Sequence, residues 1–186
     1  MKIWEVRTEE IYKSCILIND DGKQISDSNI YFYKEQKDLS FERKIRFVGG
    51  GKIAYISYYC GLSGTFVVND RTKILFESNF NSIQFFPLIC ENYQKKKFWL
   101  LNIFNYQDVL DIAHCKYNTI RNIKGEMSIC HIESYAFLDS AYDLDIFKII
   151  VNGVKRFNTL FVTDKFKKII EENNITGLNL KKVYEI

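Results

Sequence analysis

Apolar and aromatic residues fall in short runs along this chain, each bounded by Gly, Asn, Asp or Lys. The runs are Ile3–Val6, Cys15–Ile18, Ile30–Tyr33, Ile45–Val48, Ile53–Tyr59, Phe98–Phe104, Met127–Ile132 and Phe147–Val151. β-Branched and aromatic side chains suit a pleated, half-buried surface, so each run predicts a strand. Asn19-Asp20-Asp21-Gly22 and Val151-Asn152-Gly153 are the clearest turns, because Asn and Gly tolerate left-handed backbone.

Helical periodicity appears in two places, and the two resemble each other. Thr65-Phe66-Val67-Val68-Asn69-Asp70-Arg71-Thr72-Lys73-Ile74-Leu75-Phe76-Glu77-Ser78-Asn79 lies over the segment from Thr159 to Asn173 at a constant offset, with Thr, Val, Asp, Lys, Glu and Asn identical. Each copy reads as a buried strand (Phe66–Val68; Leu160–Val162) followed by a polar pair (Asn69-Asp70; Thr163-Asp164). A side-chain oxygen of that pair can accept the free N–H groups of a first helical turn. Phe166, Ile169 and Ile170 then keep helical spacing, while Thr72 and Ile74 make the first copy less regular. Asn79 and Asn173-Asn174 suit the left-handed position that ends a helix. Ile83 and Phe85, like Leu178 and Leu180, alternate with polar residues as a following strand requires. The expectation is a sheet-rich α+β fold of two fused lobes that share a repeated strand-helix-strand segment. One domain covers residues 1–186, with sub-lobes of about 1–90 and 91–186, and no Pro- or Ser-rich linker separates them.

Composition narrows the class. In 186 residues, 47% are hydrophobic, 16% aromatic and one is Pro, which excludes a disordered or low-complexity chain. No run approaches the length of a membrane span, and charges at Lys2, Glu5, Arg7, Glu9 and Glu10 break up any signal-peptide core. A cytoplasmic protein is expected. The five cysteines, Cys15, Cys60, Cys90, Cys115 and Cys130, are widely spread, which predicts reduced and mostly buried thiols. The net charge of +3 comes from interspersed signs and creates no strong field, so nucleic acid is not the expected partner.

Motifs for chemistry are absent or incomplete. Gly49-Gly50-Gly51-Lys52 lacks the phosphate-loop pattern, having Arg46 where the first Gly belongs and Ile53 where Ser or Thr follows Lys. Gly61-Leu62-Ser63-Gly64-Thr65 approaches a nucleophile elbow, but Thr65 occupies the last Gly. His114-Cys115 and Cys130-His131 lack the spacers that let neighbouring side chains converge on zinc. No catalytic residue, metal or cofactor is therefore expected. Two alternatives remain: a small hydrolase or thiol enzyme centred on Ser63 or a Cys-His pair, and a nucleic-acid-binding module using Lys95-Lys96-Lys97-Phe98-Trp99. A solvated approach to a strand explains that lysine run more simply.

Acidic residues cluster in Asp139-Ser140-Ala141-Tyr142-Asp143-Leu144-Asp145. Three carboxylates around a tyrosine could complement a basic protein surface, with the ring as anchor. Asp139, Tyr142, Asp143 and Asp145 are accordingly the candidate partner-binding residues, against the simpler reading of a solvated loop.

Three stretches resemble the immunity proteins of bacterial polymorphic toxin systems, in immunity family eleven, first known as a domain of unknown function. The segment from Leu160-Phe161-Val162-Thr163-Asp164 to Ile175-Thr176-Gly177-Leu178 is similar to the family's closing segment. Phe66 to Pro87, with Gln84-Phe85-Phe86-Pro87, looks like an earlier copy. Phe98-Trp99-Leu100-Leu101-Asn102 with Asp108-Val109-Leu110-Asp111 is similar to the strand pair between them. The likeness runs from about Ile53 onward. Thr163 and Cys115 depart from it, standing where Ser is usual. The resemblance brings no active site; it implies a protein that binds a cognate toxin domain in the cytoplasm and blocks it.

Overall fold

The computed structural model describes residues 1–25, 43–60, 65–121, 125 and 127–185. The strand expected at Ile30–Tyr33 and the stretch Gly61-Leu62-Ser63-Gly64 lie outside these residues. The architecture is α+β and mostly sheet.

The first strand, β1 (Lys2–Thr8), finds its partners at the far end of the chain. The next six strands, β2 (Ser14–Ile18), β3 (Arg43–Val48), β4 (Ile56–Cys60), β5 (Phe66–Asn69), β6 (Ile83–Cys90) and β7 (Phe98–Ile103), close into a barrel in the order β2-β3-β6-β7-β5-β4. Period-two alternation sorts their side chains. Leu17, Ile45, Phe47, Val67, Phe86 and Leu100 fill the interior, as in any barrel too small to leave a channel. Phe66, Val68, Phe85, Leu101 and Ile103 point outward, yet they too are buried.

What covers them is the rest of the chain. After β8 (Tyr106–Gln107) and a hairpin of β9 (Lys116–Arg121) and β10 (Met127–Ser134) come β11 (Ile146–Val151), β12 (Val154–Lys155), β13 (Phe161–Thr163) and β14 (Leu178–Glu185). An open sheet forms in the order β12-β11-β13-β1-β14, and β8 joins β11 in parallel. Two helices, α1 (Asp70–Glu77) and α2 (Asp164–Glu172), lie between barrel and sheet. Phe76, Phe80 and Phe166 meet there, with ring centroids 5.1–5.5 Å apart. Full burial of each such ring contributes about 1.5–3 kcal/mol. The other face of the open sheet packs Phe147 and Phe161 against Ile129, Phe137 and Ala141.

Both similar segments fold as strand-helix-strand, and several of their contacts correspond. Trp99 pairs opposite Val68 and Trp4 opposite Val162. Each indole N–H donates to the carboxylate that opens the helix, Trp99 to Asp70 at 3.0 Å and Trp4 to Asp164 at 2.9 Å. Lys73 lies over Trp99 and bonds Glu77; Lys167 lies over Trp4 and bonds Glu171. Their surroundings differ, since β5 and β6 belong to the closed barrel and β13 and β14 to the open sheet.

Two local expectations need correction. Asn69 caps α1 by accepting from the Thr72 N–H at 2.9 Å, but the Thr163 side chain makes no cap bond, and the Asp164 carboxylate turns instead to the Lys2 N–H and Trp4. Asn174 takes the left-handed backbone, φ 51°, whereas Asn79 does not. Asn79 ends α1 through its side chain, whose amide donates to the Leu75 carbonyl at 2.7 Å; Asn173 does the same to Ile169 at 2.9 Å. Strands are not shared out at residue 90 either. β1 sits in the open sheet and β7 completes the barrel. Beyond α2, the Thr176 carbonyl accepts from Ile56 N–H at 3.1 Å and ties that sheet to barrel strand β4.

Candidate partner-binding surface

The acidic segment is held by the strand-like stretch before it. Leu110 bridges Phe137, and the Leu138 N–H donates to the Val109 carbonyl at 2.9 Å. Val109, Leu110 and Phe137 are buried in the sheet's outer core, so the next residues must emerge from it. They do so as one 3-10 turn, Asp139–Asp143. Ala141 is fully buried, and its N–H donates to Leu138 at 2.9 Å; that small apolar residue pins the turn.

The four candidate residues then part company. Asp139 and Asp143 are exposed at either end of the turn. Between them Tyr142 packs its ring against the core, and its hydroxyl is buried without a hydrogen-bond partner among the described residues. Burial, followed by the nearby Tyr184 and Asp139, pushes its phenol above the usual range. Asp145 does other work. Its carboxylate accepts from Lys165 at 2.6 Å and its carbonyl from the Thr163 N–H at 3.2 Å, so it fixes the start of α2.

Tertiary pairing adds members that the sequence did not single out. The Leu110-Phe137 bridge brings the stretch that begins with exposed Asp108 beside the start of the turn. Leu138 lies beside them, 44% exposed. Neither residue carries a sequence signal, because the antiparallel pairing that unites them joins segments far apart in the chain.

Other candidate chemistries are not assembled among the described residues. His114 is exposed and paired with Asp111 at 2.7 Å, while His131 stands exposed on β10. The Cys115 thiol accepts from the Ala136 N–H at 3.3 Å, and burial pushes its pKa up, which disfavours the nucleophilic thiolate. Cys90 is pushed up for the same reason. Among the described residues no group of three or more His, Cys, Asp or Glu is placed to hold a metal ion. Ser63 lies outside the described residues. Lys95, Lys96 and Lys97 are exposed, and the neighbouring half-buried Trp99 is engaged by Asp70 and Lys73.

No helix is long and apolar enough to cross a membrane among the described residues. No curated protein matches the chain. A sequence model described as the immunity protein family (Imm11) matches residues 5–185. That match reaches well upstream of Ile53, where the likeness began on sequence grounds. The fold supplies a reason, since β1 pairs with both β13 and β14.

Proposed function

Since the chain belongs to the immunity protein family (Imm11), we propose that it neutralises a cognate bacterial toxin domain in the cytoplasm by binding it. Inhibition by contact, and not catalysis, is the proposed mode. The family match over residues 5–185 carries this reading.

For the contact we assign the turn Asp139–Asp143. Asp139 and Asp143 supply exposed negative charge on a rigid support, Tyr142 an anchored ring between them, and Leu138 and Asp108 a margin. A basic protein surface is the complementary partner. A standard interface occupies about 800 Å² on each side, so no cleft is needed. Asp145 is assigned to holding the turn's exit against α2 through Lys165.

Co-expression with a candidate toxin domain, sought in the gene immediately upstream, tests the proposal. Cells carrying the intact chain survive induction of that domain. Asp139→Lys with Asp143→Lys removes protection while the circular dichroism spectrum stays unchanged. Full protection by the double variant overturns the assignment of the turn, and failure of the intact chain to protect overturns the function.

A further inference from the structure

The hairpin of β9 and β10 pairs with no other strand among the described residues. β10 is anchored to the body: Ile129 is buried, and the Arg156 guanidinium donates to the Ile129 carbonyl. Among the described residues β9 has no such support. All six of its residues, Lys116 to Arg121, are exposed. A two-stranded ribbon is marginal in water, and stable sheets generally need a third strand or a covering layer.

Proteins protect free edges with short strands, lysines, proline, bulges or inward charges. β9 has no proline and no bulge, and its charges, Lys116 and Arg121, stand only at its two ends. The two register shifts fall between Ile129 and His131 and between Ile132 and Ser134, so the irregular residues belong to β10 and β9 stays extended. Its sequence, Lys-Tyr-Asn-Thr-Ile-Arg, alternates Tyr117, Thr119 and Arg121 on one face with Lys116, Asn118 and Ile120 on the other. Tyr117 and Ile120 are 39% and 60% exposed, and Met127, paired opposite Arg121, is 59% exposed.

Charge selects the occupant. A second copy of β9, laid antiparallel over its full length, would set Lys116 opposite Arg121 at both ends, and like charges directly opposite destabilise a pair. Glu133, on the neighbouring strand, is already bonded by Asn118 at 2.8 Å. We infer that the outer edge of β9 receives an extended segment of a partner protein, with acidic residues opposite Lys116 and Arg121 and β-branched residues between them. Main-chain hydrogen bonds supply the affinity of such strand addition and alternate side chains its specificity. This surface is separate from the acidic turn and does not depend on the partner being a toxin.

The probe is an end-blocked hexapeptide, Glu-Val-Thr-Val-Thr-Glu, titrated into the isotopically labelled full chain and followed by amide NMR. The expected result is shifts confined to the hairpin, with slowed exchange at every second amide of β9. The same peptide with Lys in place of Glu should bind at least about tenfold more weakly. Lys116→Glu with Arg121→Glu should invert that preference. Equal response to both peptides, or no response in β9, overturns the proposal. So does a dimer in sedimentation whose β9 amides are already protected, since the second copy would then be the occupant.

Discussion

Trp4 and Trp99 hold matching positions in two different sheets. The indole N–H of each reaches the carboxylate that begins a helix, Asp164 at 2.9 Å and Asp70 at 3.0 Å, beneath a lysine of that helix. Each tryptophan thereby fastens a helix N-terminus to the strand running between the two strands which that helix connects. Trp4→Phe and Trp99→Phe keep the ring but lose the bond. Each should lower unfolding stability by about 1 kcal/mol in urea titration, with no change in slope.

Gly177 lies hard against the chain at Ala54 and Ile56, at the start of barrel strand β4. Its φ is +106°, and a Cβ there would lie 1.8 Å from the Ile56 carbonyl oxygen and 2.7 Å from the Ala54 Cβ. The obstacle is mainly backbone, which has nowhere to go. Gly177→Ala should cost about 3 kcal/mol or more and depress the melting temperature, whereas alanine at Gly50, which has nothing within 4 Å, should change little.

Lys148 is a buried cation, 5% exposed, with its ammonium 5.7 Å from the centre of the Tyr106 ring. Desolvation lowers its pKa from 10.5 to about 8. Between those values the unfolded chain binds the proton that the folded chain has lost, so stability rises with pH across that window. The gain has a ceiling of about 3 kcal/mol. Lys148→Met should therefore be more stable than the parent at neutral pH, and denaturation at several pH values should show the gap closing as pH climbs past 8.

Asp145 separates architecture from contact. Its bond to Lys165 is partly solvated, so Asp145→Ala should cost only about 0.5 kcal/mol. Partner binding by this variant should stay near that of the parent, in contrast to Asp143→Lys. Comparing the two affinities by surface plasmon resonance checks the division of roles.

Much of this was legible in the sequence where the signal was local. The runs at Cys15–Ile18 and Phe147–Val151 are strands because their neighbours break the chain and their side chains favour sheet. Asn69 could be read as a helix cap because capping needs only the next few residues. Non-local pairing was not legible. Nothing near Ile3 announces that β1 belongs between β13 and β14, and nothing in Lys116–Arg121, polar at most positions, marks it as a strand. At the candidate surface, the Asp139 to Asp145 cluster was visible as composition. The commitment of Asp145 to Lys165 and the pairing of Leu110 with Phe137 that supports the turn arise only from tertiary packing.

The decisive measurement is titration calorimetry of the purified chain with a candidate toxin domain from a neighbouring gene. Saturable one-to-one binding is expected, weakened at least about a hundredfold by Asp139→Lys with Asp143→Lys. A folded chain that gives no heat of binding with any such domain overturns the proposed function.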